Sequence, residues 1–350
     1  MIYDIDFLAV ENEERDGTKS GDAIIVSVTE PVTGVQRHIV IDAGFSATGS
    51  TVVQKFQEWY GAASVDLVIS THPDSDHING LQEVVETLDV GELMLHLPWQ
   101  HNSNASMLGN YERIRSLYDS AIKHGTTVTE PFTGLERFGG AIRILGPSQS
   151  YYEELLAASI EEVRSGTAAT RVLESKMSAL LASGKRLLER ALGRYPEETL
   201  DDVDDTSPRN QSSVITLATQ GADHMMLTGD AGIGALEAAA TEYETIVGPF
   251  HAYPLHFFQA PHHGSKHNLG GSVLNRILGT ETNPFGSPVA FISSAKASEK
   301  HPSPKVTNAL GRRNARVVVT EGKNIHFGDS DRPGYSASTP VGPLVEDDGS

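Results

Sequence analysis

The chain has 350 residues, enough to bury one large core or two modest ones. It contains no cysteine, which excludes a disulfide framework and a thiolate metal site, and no apolar run approaches the ~20 residues that span a bilayer. Asp and Glu number 46 against 27 Lys and Arg, a formal charge of −19, which argues against a broad basic face for a nucleic-acid backbone and leaves a local nuclease site open.

In chain order, residues 2–10 read as an acidic strand rather than a secretory signal. Further strands are predicted over 23–28, 38–41, 67–70, 93–95 and 142–145 in a first half. A second half carries 214–218, 224–227, 255–259, 289–292 and 316–319, with a helical pattern at 233–243. Two such halves predict an α/β fold of four layers, an αββα sandwich with sheet on sheet and helices outside. Between them, about 151–205 has a different texture. Leu155, Leu156, Ile160 and Val163 mark one helix, and Val172, Leu173, Met177, Leu180 and Leu181 another, before Pro196 and an acidic run. This reads as a helical insertion that docks on the sandwich or contacts a protein partner or a second copy. One domain is expected over 1–335, with 336–350 a flexible tail. The absence of cysteine and of a membrane span sets a soluble cytoplasmic protein as the expectation.

The densest chemistry lies at Thr71-His72-Pro73-Asp74-Ser75-Asp76-His77, directly after the apolar Leu67-Val68-Ile69. Open α/β sheets place their sites at the carboxyl ends of strands. His72 and Asp74 stand two apart in an extended segment and point the same way, so they can share one cation. Asp76 and His77 face differently and can serve a second. Leu81, Val84, Val85 and Leu88 then mark one face of a helix. The second half offers Asp230 at the end of a strand, a natural bridge between two cations, and the paired His262 and His263 at the end of another. Ser293, Ser294, Lys296 and His301 follow the 289–292 strand.

With these motifs in order, the chain resembles the metallo-β-lactamase superfamily, and within it most resembles the hydrolase domain of the competence DNA-uptake protein ComEC. Ser20-Gly21-Asp22-Ala23 is similar to that group's opening strand pair, and Ile41-Asp42-Ala43-Gly44 to a motif whose aspartate supports the ligand loop from behind. Residues 71–77 match the ligand motif. Asn210 to Val214, Leu227 to Asp230, Pro261-His262-His263-Gly264-Ser265 and His301-Pro302 match later ones. The resemblance implies a metallo-β-lactamase sandwich and two divalent metal ions, zinc or manganese, about 3.5–4 Å apart. It assigns the first metal to His72, Asp74 and Asp230. It assigns the second to Asp76, His77, Asp230 and one of His262 or His263, with His262 preferred because it comes first after the strand. Asp76 would also orient the attacking water, and Ser265, Lys296, Lys300 and His301 would hold phosphate or protonate the leaving group. Two departures stand out. Asp74 replaces the commoner histidine, which tilts the first site toward harder ions. The usual third-motif histidine has no clear counterpart, His96 and His101 being the nearest candidates. The activity implied is phosphodiester hydrolysis with nucleic acid as substrate, DNA favoured. The alternatives are a small phosphodiester, such as a cyclic nucleotide or phospholipid headgroup, and a binding module of a larger assembly.

Overall fold

The structure, a computed structural model, describes residues 2–14, 17–61, 63–166, 194–296, 298 and 301–346. Its main strands are β1 (Asp4–Phe7), β2 (Ala23–Thr29), β3 (Gln36–Ala43), β4 (Ser64–Ile69), β5 (Asp89–Met94), β6 (Thr127–Thr129), β7 (Glu136–Arg137), β8 (Ile142–Gly146), β9 (Ile215–Gln220), β10 (Asp223–Leu227), β11 (Phe257–Gln259), β12 (Val289–Ile292), β13 (Arg316–Val319) and β14 (Ile325–Gly328). They form two seven-stranded sheets, ordered β14-β1-β2-β3-β4-β5-β6 and β13-β12-β11-β10-β9-β8-β7.

Each strand buries alternate residues on opposite faces, as a period of two requires. Ile24, Val26, Ile39, Ile41, Leu67 and Ile69 enter the core between the sheets, where they meet Ile142, Ile144, Met225, Leu227, Phe257 and Phe291. Their neighbours Ile25, Val40 and Val68 face the other way, under helices Ser46–Tyr60, Leu81–Thr87 and Tyr111–Lys123. On the second sheet Met226, Phe258 and Ala290 pack under helices Ile233–Ile246, Gly271–Leu278 and Pro304–Arg312. Three apolar interfaces make the four layers, so the mixed α/β sandwich expected from the sequence is present. Strands buried on both faces read as near-continuous apolar runs, which is why 23–28 and 67–69 stand out in the chain.

Within each sheet the strands from the centre out to one edge run parallel: β3 to β6 in one, β10 to β13 in the other. Their carboxyl ends therefore share an edge, where loops can bring side chains together.

The division into halves needs correction at two strands. β8, grouped by sequence with the first half, pairs with β9 in the second sheet. β14 returns from the C-terminal side to pair with β1. The expected insertion begins as a real helix, Gln149–Ser165, whose first turn is capped by the Ser148 hydroxyl accepting from the Tyr151 amide. The second helical stretch, at 172–192, lies outside the described residues. The C-terminal segment read as a flexible tail is held over its described part. Leu344 exchanges backbone hydrogen bonds with the Asn308 carboxamide, and the Val341 amide donates to the Val317 carbonyl. Among the described residues no helix is long and apolar enough to cross a membrane.

Candidate metal centre

The 71–77 loop leaves β4 under firm constraint. Buried Asp42, at the end of β3, accepts from the Thr71 amide at 2.9 Å and from the Thr71 hydroxyl. Its second oxygen also lies 2.8 Å from His77 Nδ1. Asp74 is extended, then starts a single helical turn, Ser75–Ile78, that swings Asp76 and His77 to a different side from His72. Gly21 is needed here because a Cβ would meet the Asp76 carbonyl at 2.4 Å. Gly80 is needed for the same reason: a Cβ would meet the Ala43 carbonyl at 2.0 Å.

Asp230 follows β10 and is buried, with its amide donating to Ser213 Oγ. Its Oδ1 lies 3.3 Å from His77 Nε2, and its Oδ2 lies 3.6 Å from His72 Nε2 and 3.6 Å from His262 Nε2. Asp74 Oδ2 is 3.9 Å from His72 Nε2. His262 and His263 both take left-handed backbone, φ 48° and 56°, an arrangement non-glycine residues hold only when their surroundings impose it. That double turn sends the two rings apart: His262 faces Asp230, while His263 faces Asp76 at 3.7 Å and Asp22 at 3.7 Å. Asp22 in turn accepts from Gln259 Nε2 at 2.7 Å, and Gln259 Oε1 accepts from the Thr228 amide. Gln259 thus ties the two sheets together behind the cluster.

These separations exceed a hydrogen bond. They fit ligands of a shared ion, since two atoms each 2.0–2.2 Å from one cation stand about 3.4–3.6 Å apart. The buried His72 Nε2, His77 Nε2, Asp230 Oδ1, Asp22 Oδ1 and both ring nitrogens of His263 have no hydrogen-bond partner. Unsatisfied buried polar atoms are costly, and the nitrogen and oxygen donors of these five residues suit a divalent cation. His72, His77 and Asp230 form one group able to hold an ion, and Asp76, His77 and His263 another.

The electrostatics agree. Burial would push the His77 imidazole down, but Asp230 and Asp42 reverse this and hold its pKa well above the usual value. Burial would raise the Asp230 carboxyl, but the surrounding His262, His77, His263 and His72 hold it well below the usual range. Burial and the neighbouring His77 charge push His72 down. Protons here stand in for cation charge.

Other expected residues fall differently. His301 places its ring 5.7 Å from that of His262 and 6.2 Å from that of His263. Ser265 is buried in its own turn, its hydroxyl accepting from the His267 amide. Lys296 is exposed, with its amide donating to Glu11, and Lys300 lies outside the described residues. His101 is bound to Glu130 and Glu153. His96 is stacked on Tyr152, ring centroids 4.2 Å apart. Neither joins the cluster. Sequence reading did not single out Arg209, whose guanidinium lies 3.0 Å from Asp74 Oδ1 and is 46% exposed. Its position next to the Asn210 motif was the available signal.

His96 yields a stability prediction. Burial pushes its pKa down to about 3, while an unfolded histidine titrates near 6.5. Between those values the unfolded chain binds the extra proton, so stability is full above pH 6.5 and is lost as pH falls. Between pH 7 and pH 5 the wild type should lose about 2 kcal/mol that His96→Phe keeps. Urea unfolding at both pH values checks this, and a parallel loss in the two proteins would refute it.

Facing sheets bring a buried histidine–aspartate cluster to their shared edge, with side chains able to hold a metal ion. Residues 28–153 match the family model of the metallo-beta-lactamase superfamily. The match takes in Asp42 and residues 72–77, while Asp230, His262 and His263 lie beyond it. No curated protein matches the chain. Among solved structures, a metallo-beta-lactamase candidate from Thermotoga maritima is 13% identical, covering 66% of this chain and 79% of its own, with a TM-score of 0.36. A diphosphatase from the PhnP family is 10% identical, covering 94% of this chain and 99% of its own, with a TM-score of 0.39. Likeness at that level adds nothing to the superfamily match.

Proposed function

We propose that the protein is a metal-dependent hydrolase of phosphodiester bonds, acting as a nuclease. The observation that carries this is buried Asp230, whose Oδ1 lies 3.3 Å from His77 Nε2 and whose Oδ2 lies 3.6 Å from both His72 Nε2 and His262 Nε2. His72, Asp74 and Asp230 would hold one divalent cation, and Asp76, His77, His263 and Asp230 a second, zinc or manganese. Two such ions would lower the pKa of the attacking water and withdraw charge from the phosphorus. The remaining roles belong to the chain. Asp42 fixes the His77 ring through Nδ1. Asp76, held as a carboxylate by His263 and His77 against the pull of burial, orients the attacking water. Arg209 offers its guanidinium to the phosphate oxygens, and His301 passes a proton to the leaving oxygen. DNA as the substrate rests on the order of motifs shared with the competence group. The helical insertion is proposed as a contact for a protein partner or a second copy.

A second reading, a small organic phosphodiester, is favoured by one feature. An apolar pocket lined by Leu95, Leu108, Ile114 and Leu156 opens beside His72 and Arg209. It would take an apolar substituent of a small ester, and the charge of −19 suits that substrate better than a polyanion.

Metal-stripped protein, resupplied with manganese or zinc, should cleave single-stranded DNA and bis-(p-nitrophenyl) phosphate. The Asp74→Ala/Asp76→Ala protein should lose at least ~100-fold of that rate. Cleavage of the small ester alone would select the second reading, and cleavage of neither would overturn both.

A further inference from the structure

We infer that the pocket beside His72 and Arg209 receives a nucleobase, and that Asn110 reads the edge of that base. This rests on the phosphodiesterase reading above and names its substrate class: a nucleotide ester whose base enters the pocket while its phosphate lies at the cluster.

Four parts of the chain meet at the pocket. Ser70 follows β4, His96 follows β5, Asn110 precedes helix Tyr111–Lys123, and Tyr152 and Leu156 come from helix Gln149–Ser165. The space is about 500 Å3 with its open mouth included, the size of a small-ligand site. Leu95, Leu108, Ile114 and Leu156 give it apolar walls that suit the faces of a flat ring. His72 and Arg209 line the same pocket, so a base seated there carries its phosphate toward the guanidinium and the cluster.

Apolar walls alone would accept any hydrocarbon, but the polar groups set among them would not. Ser70, His96 and Asn110 are each more than nine-tenths buried. The Ser70 hydroxyl, both ring nitrogens of His96 and both polar atoms of the Asn110 carboxamide have no hydrogen-bond partner among the described residues. Asn110 is the clearest of the three. It stands immediately before a helix, where an asparagine ordinarily turns its side-chain oxygen onto a free backbone amide. Here its backbone carbonyl meets the Arg113 and Ile114 amides at 3.1 and 3.2 Å, and its side chain makes no cap bond. The carboxamide is left buried with a donor and an acceptor side by side, both unused.

Such a pair is costly to bury unpaired, and a hydrocarbon in the pocket would leave it so. The edge of a nucleobase presents the matching acceptor and donor in one plane, as in the two bonds that join asparagine to adenine. Burial holds the His96 ring neutral, so it adds one further donor and one further acceptor. A site with polar groups of this kind rejects a ligand that lacks their partners far more strongly than an apolar wall rejects a missing methylene.

The test is equilibrium titration of the full chain, supplied with Zn2+, with three phosphate monoesters. These are AMP, ribose 5-phosphate, which lacks the base, and phenyl phosphate, which has a ring but no polar edge. AMP should bind at least about tenfold more tightly than either of the others. Asn110→Leu keeps the approximate shape and removes the donor and the acceptor. It should lose the preference for AMP, keep its affinity for phenyl phosphate, and unfold in urea no more readily than wild type. Wild-type protein labelled with 15N-asparagine gives a second measurement without a mutation: the Asn110 Nδ2 resonance should shift with AMP and stay in place with ribose 5-phosphate. A single-stranded deoxyadenosine oligonucleotide that displaces AMP would make the base part of a strand. One that does not displace it would make the substrate a small nucleotide ester, and both results uphold the pocket. Equal binding of the three monoesters, an Asn110→Leu protein that still prefers AMP, or an unmoved Asn110 resonance while AMP binds would overturn the assignment. Hydrolysis of bis-(p-nitrophenyl) phosphate would then still uphold the phosphodiesterase reading. Base-selective binding without any hydrolysis would uphold the pocket and overturn that reading.

Discussion

Asp230→Ala is expected to reduce hydrolysis by at least about a thousandfold and to lower metal uptake at both sites together. Losing a partner that merely orients a metal ligand typically costs 10–100-fold. Asp230 is placed to be more than that, since its Oδ1 faces His77 and its Oδ2 faces His72 and His262. One substitution therefore strips an oxygen donor from each proposed ion. It also leaves His72, His77 and His263 buried around a void in negative charge. Of these, His77 and His263 are held above their ordinary pKa partly by this carboxylate. In the variant these two lose that support and titrate nearer the range burial alone would impose. The check is turnover on bis-(p-nitrophenyl) phosphate together with zinc content after dialysis. Retention of both ions, or of more than about a tenth of the rate, would show that Asp230 does not bridge.

Asp42→Ala should be the most damaging change at a residue that touches no proposed ion. Its carboxylate receives the Thr71 amide and hydroxyl and His77 Nδ1, all buried. Removing it leaves the Thr71 amide and His77 Nδ1 without partners, each worth roughly 1–3 kcal/mol, and the Thr71 hydroxyl with His72 Nδ1 alone. We expect a loss of about 3 kcal/mol or more in stability and a 10–100-fold loss in affinity for the ion held by His77. Asp42→Asn separates the two effects. It keeps an oxygen for the Thr71 amide but cannot accept from both Thr71 and His77, so stability should recover more than metal affinity. Equal recovery of both would mean that Asp42 is a fold residue only. Urea unfolding and zinc titration of the two variants give the comparison.

Much of the cluster was legible in the chain because its parts are local. His72, Asp74, Asp76 and His77 follow an apolar run that could only be a buried strand, and Asp230 and the His262–His263 pair end two more. Their residue types alone restrict the chemistry to oxygen and nitrogen ligands. The layer count was legible too, because strands covered on both faces leave runs such as Leu67-Val68-Ile69.

What remained hidden depends on contacts distant in sequence. The chain shows that residues 142–145 prefer a strand but not which sheet pairs with them, since strand propensity carries no address. The short edge strands Thr127–Thr129, Glu136–Arg137 and Ile325–Gly328 escaped because two to four residues give too little periodicity to read. His96 and His101 sit at plausible ligand positions by number. Stacking on Tyr152 and pairing with Glu130 and Glu153 send them elsewhere. The division of labour between His262 and His263 is the sharpest case. Adjacent residues in an ordinary strand point to opposite faces, but these two lie in consecutive left-handed conformations, and the sign of φ there is imposed by packing around the turn rather than by imidazole itself. The sequence by itself determined that a cluster of metal-capable side chains would form at the strand ends of a two-sheet sandwich. Only the tertiary structure decided which ring faces which carboxylate, because Asp230 and Asp22, brought to the turn from other parts of the chain, meet His262 and His263 respectively.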